Sequence, residues 1–261
     1  MITNEYGVQE IQRNLLSFVK EFDEFCKKND IKYTLHGGSL LGAIREKGFI
    51  PWDDDIDIGM TREQYKRLEK LVSSDRDEEI YLDSKRDKIK KIWLNEEGKE
   101  KVWIDIFIYD YISEKTFQQK QKILLLKLLT ALSKSETTMA AFRTNKRAKG
   151  FSRIVYEILY FVSKPFPLEK RIKRFDKFCE FSLVGQKKLV HRANDQLWAM
   201  PMIVPIESLM EFTYVQFEDT KLMVTKDYNT ILTQLYGTSY MTPKKVSEKA
   251  QTVHDITRQN G

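Results

Sequence analysis

The chain has 261 residues, 41% hydrophobic and 31% charged, which is enough apolar material for one large domain or for one domain with an insertion. Two cysteines are too few for a disulfide framework. The net charge is +6, but the sequence lacks the regularly interleaved basic and aromatic residues of nucleic-acid binders. No apolar run is long enough to span a bilayer and the N-terminus does not resemble a signal peptide, so we expect a cytoplasmic protein.

The first part of the chain alternates helical and extended patterns. Apolar residues recur at helical spacing from Val8 to Lys28, and this predicted helix ends at Asn29-Asp30. Ile31 to Leu35 is predicted as a strand, and a turn of small residues follows it. After a second short strand, Thr61 is expected to cap a helix from Arg62 to Val72.

The small-residue turn before the second strand indicates a phosphate-binding helix start. Gly37, Gly38 and Ser39 precede a predicted short helix, Leu40 to Arg45, whose first backbone N–H groups could hold a phosphate. The spacing fits neither a P-loop nor the Rossmann glycine pattern. The glycines alone would equally suit a tight turn, and it is the acidic residues after them that favour a phosphate site.

Those acidic residues lie in Trp-Asp-Asp-Asp-Ile-Asp-Ile, which places four carboxylates in five positions. If Asp55 to Ile58 is a strand, Asp53, Asp55 and Asp57 share one face. Two such charges about 4 Å apart repel by roughly 4 kcal/mol at an effective dielectric of about 20. A solvated acidic turn is the alternative, but the large apolar neighbours favour burial. The spacing does not fit an EF-hand, and we expect Mg²⁺ or Mn²⁺ at this site.

The clearest strand, Val102 to Asp110, carries Asp105 in the middle of an apolar run. A buried carboxylate needs a positive partner. Asp105 either pairs with a buried Lys or Arg or joins Asp55 and Asp57 at the metal, and we favour the second interpretation. Further strands near residues 80–82 and 89–94 would complete a mixed sheet of about five strands.

From Thr116 to Leu183 the pattern is helical, interrupted by Pro165 and Pro167. A basic cluster between Arg143 and Arg153 precedes an aromatic-rich amphipathic helix. Such a helix either packs on the core with a solvated basic face or lies on a membrane surface.

The last part of the chain predicts a hairpin and a helix. Residues 215–217 and 221–224 alternate as paired strands around a short turn. The helix would run from Tyr228 to Tyr236 and stop at Gly237.

These motifs together resemble the LicD-type phosphotransferases, which include the fukutin-related proteins. The resemblance is carried by Gly-Gly-Ser-Leu-Leu-Gly-Ala-Ile-Arg, by Gly-Phe-Ile-Pro-Trp-Asp-Asp-Asp-Ile-Asp-Ile, by the strand of Asp105, and by a closing segment that includes Leu235-Tyr236-Gly237 and His254. It implies an α+β, nucleotidyltransferase-like fold in which helices flank a mixed β-sheet. The catalytic core would comprise residues 1–114. Residues 115–200 would form a mainly helical insertion that faces the acceptor or the membrane. Residues 201–261 would form a C-terminal segment that packs on the core.

The reaction that the resemblance implies is transfer of phosphocholine or a polyol phosphate from a CDP-linked donor to a sugar hydroxyl, with release of CMP. The acceptor would be a cell-surface glycan or its lipid-linked precursor, for capsule, teichoic acid or lipopolysaccharide, and a lipid-linked acceptor would be reached at the inner face of the cell membrane. Two alternatives stay open: a nucleotidyltransferase that transfers the nucleotide itself, and a non-catalytic nucleotide-binding module. We expect no nucleic-acid partner.

The site residues follow from the motifs and the implied reaction. Phosphoryl transfer needs charge neutralisation and in-line positioning, which metal-holding carboxylates supply. We expect Asp55, Asp57 and Asp105 to hold the metal, and Asp105 or Asp53 to accept the proton of the attacking hydroxyl. The predicted substrate contacts are Gly37, Gly38, Ser39, Arg45, Lys90 and Lys91.

Overall fold

The computed structural model of the protein describes residues 7–73, 80–94, 101–144, 151–181 and 187–243. The helices in these ranges are α1 (Gln9–Lys28), α2 (Gly37–Arg45), α3 (Arg62–Leu71), α4 (Thr116–Leu132), α5 (Glu136–Thr144), α6 (Phe151–Ser163), α7 (Leu168–Glu180) and α8 (Tyr228–Tyr236). The strands are β1 (Thr34–Leu35), β2 (Ile56–Thr61), β3 (Ile80–Asp83), β4 (Lys90–Leu94), β5 (Val102–Ile112), β6 (Leu189–Arg192), β7 (Ile203–Pro205), β8 (Phe212–Phe217) and β9 (Thr220–Thr225).

A mixed seven-stranded sheet organises the molecule, with the order β1-β2-β5-β4-β3 and with β6 and β7 added beside β5. Strands β2 and β5 are parallel, and the other pairs are antiparallel. On its other edge β5 pairs with β4 along its first half and with β6 along its second half. Asn194 joins the two halves, because its amide donates to Ile106 O at 2.9 Å and accepts from Ile108 N at 2.8 Å.

One face of the sheet forms the main core. Isoleucines at alternate positions of β2 and β5 are fully buried and pack in one cluster with the apolar side of α1. The opposite face of the same two strands carries Asp57 and Asp105, because successive side chains of a strand point to opposite sides. The period-2 pattern therefore separates the core from the acidic site.

The hairpin β8–β9 and helix α8 pack against β1 and α2. The N–H of Thr225 donates to Thr34 Oγ1 at 3.0 Å, and the rings of Phe49 and Phe217 lie 4.9 Å apart. Gly237 ends α8 with a φ of +83°, a backbone conformation that glycine adopts without strain. These contacts hold the C-terminal elements next to α2.

Helices α4 to α7 form a second layer with its own small core, which includes Leu126, Phe175 and Cys179. None of the helices in the described ranges combines the length and apolar character that crossing a bilayer requires. The Lys and Arg residues at 146–149, part of the predicted basic cluster, and His254 lie outside the described residues.

The α+β class, the mixed sheet and the helices predicted at residues 8–28, 62–72 and 228–236 are confirmed within one or two residues. Three predictions about strands need correction. The first strand is only Thr34–Leu35, Asp55 precedes β2 instead of opening it, and the sheet has seven strands. Strand β6 lies in the segment 115–200 but beyond the predicted helical pattern of residues 116–183, so that segment rejoins the sheet at Leu189. β6 has only four residues, and two of them, His191 and Arg192, are polar. This pattern is too short and too polar to predict a strand.

Candidate active site

Three carboxylates converge beside the paired strands β2 and β5. Parallel pairing places the Cα of Asp57 opposite that of Asp105, and Asp55 lies two residues earlier on the same side. One oxygen of each of these three residues lies within 4.8 Å of the others. The side chains are partly exposed, so a ligand can reach them from solvent. Oxygen-only donors in this arrangement suit a hard divalent cation.

The start of α2 lies against the same carboxylates. A Cβ atom on Gly37 would lie 2.7 Å from Asp57 Oδ2, and one on Gly38 would lie 2.6 Å from Asp53 Oδ2. Gly37 also has a φ of +54°, which disfavours any other residue. The two glycines therefore let backbone N–H groups at the helix start approach the acidic cluster, where they could bind phosphate oxygens.

Two hydrogen bonds fix α2 to β2 at this point. The N–H of His36 donates to Asp57 O at 2.9 Å, and the N–H of Asp57 donates to Ser39 Oγ at 2.9 Å. Ser39 is thus committed to positioning Asp57 through its side chain, while its own N–H belongs to the first turn of the helix. The predicted phosphate turn and the predicted metal site are therefore one rigid unit.

Burial and mutual repulsion raise the pKa values of the acidic cluster. Burial, followed by the charges of Asp105 and Asp54, raises the pKa of Asp55 to about 7. The pKa values of Asp57 and Asp53 lie well above the usual range, again chiefly because of burial and then because of neighbouring carboxylates. A group of carboxylates in this state favours a bound positive charge, since a cation would remove both the repulsion and the need for protonation.

Lys91 is the positive charge that the chain itself supplies. It lies directly opposite Asp105 in the antiparallel β4–β5 pair, and its ammonium forms an ion pair with that carboxylate. The same ammonium lies 4.7 Å from the centre of the Trp103 ring. Burial raises the pKa of Asp105, and Lys91 opposes that rise. The two interpretations of Asp105 that the sequence left open are thus compatible, because it pairs with a lysine and also lies at the three-carboxylate site.

Two predicted substrate contacts lie elsewhere. Lys90 points to the opposite side of the sheet, where it is fully buried and its ammonium is 2.7 Å from Asp176 Oδ2. Arg45 lies at the far end of α2, and it contacts Glu46 at 2.6 Å and the carbonyl of Tyr240 at 3.3 Å. The structure therefore places Lys90 on the face of the sheet away from the three carboxylates, because neighbouring residues of a strand face opposite sides. In this structure Arg45 joins α2 to the C-terminal segment.

A buried network of polar side chains, which the sequence did not predict, links β6 to the residue before α2. Arg192 is buried on β6; its guanidinium donates to the ring of His36 and its Nε lies 3.0 Å from Asp195 Oδ2. Burial, with the charge of Arg192, holds the pKa of His36 well below its usual range, so the ring is neutral and accepts at Nε2. The Nδ1 atom then carries the proton and lies 3.4 Å from the Tyr109 hydroxyl. His36 therefore acts as a fixed link between β6 and the start of α2.

Tyr236, at the end of α8, brings the C-terminal segment to the site. Burial and the charges of Asp57 and Asp53 raise the pKa of its hydroxyl. Its ring is partly exposed. An aromatic side chain beside the acidic cluster could contact a substrate. The sequence predicts that Tyr236 packs in the C-terminal part of the chain, with stacking on the cytosine of the donor as the alternative.

Comparison with known proteins agrees with this geometry. Residues 30–136 match the family described as LicD/FKTN/FKRP, nucleotidyltransferase domain. The lipopolysaccharide cholinephosphotransferase LicD of Haemophilus influenzae is 27% identical over 270 aligned positions, which cover 95% of this chain and 97% of that protein. The ribitol 5-phosphate transferase FKRP of Homo sapiens is 49% identical over 41 residues, which cover 16% of this chain and 8% of FKRP; the Mus musculus protein gives the same values.

The matched domain contains the whole of the site on the sheet. It includes the start of α2, Asp53 to Asp57, Lys91 and Asp105, whereas Arg192 and Tyr236 lie beyond its end. In its sequence motifs, its α+β fold and its similarity to LicD over nearly its full length, the chain is similar to the LicD family, whose nucleotidyltransferase domain it matches over residues 30–136.

Proposed function

We propose that the protein is a metal-dependent phosphotransferase that moves a phospho-alcohol from a CDP-linked donor to a sugar hydroxyl and releases CMP. The transferred group would be phosphocholine or a polyol phosphate. The observation that carries this proposal is the convergence of Asp55, Asp57 and Asp105 next to the glycine-rich start of α2. The similarity to a cholinephosphotransferase along nearly the whole chain supports the same class of reaction.

Asp55, Asp57 and Asp105 would hold the metal, Mg²⁺ or Mn²⁺, which when bound would neutralise charge on the donor phosphates. Backbone N–H groups of Gly37, Gly38 and Ser39 would bind phosphate oxygens. Lys91 would keep Asp105 ionised and oriented through their ion pair. These residues would orient the donor and lower its charge, which is most of what phosphoryl transfer asks of a protein.

Asp53 is the better of the two candidates for proton acceptor. Asp105 is already paired with Lys91, which favours its ionised form and makes it a weaker base. Burial and the charges of Asp55 and Asp54 raise the pKa of Asp53, so it would bind a proton more readily. In the proposed step the sugar oxygen forms a bond to the distal phosphorus of the donor, and its proton passes to Asp53. The bond from that phosphorus to the bridging oxygen breaks, and its electron pair leaves with CMP.

The acceptor would be a sugar of a cell-surface glycan or of its lipid-linked precursor. A lipid-linked acceptor would place the reaction at the inner face of the cell membrane. Choline, ribitol and glycerol donors would all suit the phosphate-binding residues described above, since none of those residues contacts the alcohol in the proposed arrangement.

The test is to incubate the purified protein with Mg²⁺ or Mn²⁺, a membrane glycolipid extract, and CDP-choline, CDP-ribitol, CDP-glycerol or CTP. We expect CMP from one CDP-alcohol, at least about 1000-fold less with Asp55→Ala, and no loss with the exposed control Asp219→Ala. Diphosphate released from CTP alone would establish the alternative, transfer of the nucleotide itself. Metal-dependent nucleotide binding with no turnover on any acceptor would contradict the proposal and leave a binding module.

A further inference from the structure

Helices α4 and α6 each expose several large apolar side chains along one side. On α6 the exposed side chains are Ile154, Ile158, Phe161 and Val162, all more than half accessible, and their spacing places them within about 100° of the helix circumference. The opposite side of α6 is buried through Tyr156, Tyr160 and Ser163. A helix that buries one apolar side and exposes another has more apolar surface than packing within this chain requires.

Helix α4 repeats the arrangement. Phe117, Leu124 and Leu125 are exposed on one side, whereas Leu126 and Thr130 are buried on the other. The two helices pack against each other, and the hydroxyl of Tyr156 on α6 donates to Lys127 O on α4 at 3.0 Å. The exposed apolar side chains of α4 and α6 are hereafter called the α4–α6 surface.

A groove opens next to this surface between α4 and α7. Its volume is about 370 Å³, and its apolar lining comes from Leu124, Leu125, Phe178 and Phe181. Leu124 and Leu125 also belong to the α4–α6 surface, so the groove is continuous with that surface. An apolar chain entering from a hydrophobic phase would find room there.

The charge around these helices is strongly positive. From Lys115 to Arg174 the sequence contains fifteen lysines and arginines and three acidic residues, whereas acidic residues outnumber basic ones in the rest of the chain. Lys120 is exposed one turn from Leu124 on α4, and Arg153 is exposed beside Ile154 on α6. The excess positive charge of the sequence therefore lies in the segment that carries the α4–α6 surface.

We propose that the α4–α6 surface docks on an anionic lipid bilayer and holds the chain at the membrane as a peripheral protein. Apolar side chains would enter the acyl region while flanking Lys and Arg residues would meet anionic headgroups. A second copy of the chain fits less well, because self-association would bring two strongly basic faces together. Nucleic acid would match the charge but not the exposed Ile, Leu, Val and Phe side chains.

The experiment is flotation of the full chain with vesicles of phosphatidylcholine that contain about one third phosphatidylglycerol, compared with phosphatidylcholine alone. We expect binding to the anionic vesicles that weakens at high salt, and at least about ten-fold weaker binding to the neutral ones. Equal binding to both, or no binding to anionic vesicles, would overturn the proposal.

Two pairs of variants separate the apolar and charge contributions. Leu124→Ser with Phe161→Ser should weaken vesicle binding by at least about ten-fold, while Leu71→Ser, an equally exposed leucine on α3, should not. Lys120→Glu with Arg153→Glu should weaken binding by at least about five-fold for each charge, while Lys221→Glu on the hairpin should not. Wild-type binding by either surface variant would contradict the assignment.

All substituted side chains in these variants are exposed, so thermal unfolding should be unchanged and serves as the folding control. Vesicle binding needs no donor, and transfer to a detergent-dispersed acceptor needs no vesicle. A failure of membrane docking and a failure of the proposed reaction would therefore give different results. Capture of an acidic protein, with no vesicle binding, would identify a different partner and overturn the lipid assignment.

Discussion

The acidic site and the helical segment differ in where they place charged and apolar side chains. At the site, carboxylates lie on the face of the sheet opposite the buried isoleucines, where main-chain bonds fix Asp57 and an ion pair with Lys91 holds Asp105. On α4 and α6, apolar side chains are exposed and basic residues surround them. The site is over-determined and should tolerate almost no change, whereas single residues of the helical surface should each matter little to the fold.

The largest effect is expected at the centre of the site. Asp57→Asn removes a charge that would hold the metal but keeps the size of the side chain and its main-chain bonds to His36 and Ser39. We expect transfer to fall at least about 1000-fold, since metal-based charge stabilisation is worth several kcal/mol. The measurement is CMP release, with circular dichroism to verify the fold. Retention of more than a tenth of the activity would contradict a metal role for Asp57.

The second prediction concerns Arg192. Arg192→Leu leaves Asp195 buried without its charge partner and removes the donor to His36. We expect the free energy of unfolding in urea to fall by about 3 kcal/mol, the cost of breaking a buried ion pair from one side. The matched control is Lys20→Leu, whose exposed pair with Asp219 should be worth less than about 1 kcal/mol. Equal losses in the two variants would show that burial of the Arg192 chain is not what matters.

Third, the close approach of α2 to the acids can be tested with alanine. Gly37→Ala would place a Cβ 2.7 Å from Asp57 Oδ2 and should lower kcat/KM by about 100-fold, because the helix start must move away from the site. Gly7 also has a positive φ, but a Cβ there meets nothing within 4 Å. Gly7→Ala therefore controls for backbone strain alone. Similar activity of both variants would refute a requirement for close approach.

Fourth, the metal-free protein should lose stability as pH rises. The pKa of Asp55 is raised from 3.8 to about 7, so the folded chain keeps a proton that the unfolded chain has released. Stability from this group is complete below about pH 4 and is lost as pH rises through about 7. At pH 8, Mg²⁺ at about thirty times its dissociation constant should add about 2 kcal/mol. Thermal unfolding measures both effects, and Asp55→Asn should flatten the pH dependence.

The smallest effect is expected on the helical surface. Ile154→Ala on α6 should change the free energy of unfolding by less than about 0.5 kcal/mol, because the side chain is 58% exposed. Ile104→Ala on β5, where the side chain is fully buried, should cost about 3 kcal/mol. Urea unfolding of this isoleucine pair measures the contrast directly. A large loss for Ile154→Ala would mean that α6 is packed more tightly than its exposure indicates.

The sequence predicted the parts of the fold that depend on local pattern. Alternation in β2 predicted that Asp55 and Asp57 share one side, the apolar run around Asp105 predicted its strand, and the helical period predicted α1, α3 and α8. The glycines and the acids could be associated because they are close in the chain. The ion pair between Lys91 and Asp105 could be foreseen only in part. Consecutive residues of a strand face opposite sides, so one of Lys90 and Lys91 had to lie on the same face of the sheet as Asp105.

Features that depend on distant pairing could not be predicted. Strand β6 exists because β5 is long enough to offer it an edge, and its Leu-Val-His-Arg sequence has no strand signature of its own. The approach of Arg192 to His36 joins residues more than 150 positions apart, and only the strand register decides it. The sequence could not show which of Lys90 and Lys91 lies on the same face of the sheet as Asp105, because the register of β4 against β5 decides it.

The pairing of β5 with β6 has a consequence for how this chain can vary. Ile112, the last residue of β5, pairs with Leu189, the first residue of β6, so the helices between them begin and end at neighbouring positions of the sheet. A loop with adjacent ends can be lengthened, shortened or exchanged at small entropic cost. The helical segment can therefore change in length while the paired ends of β5 and β6, and with them the carboxylate site, stay in place.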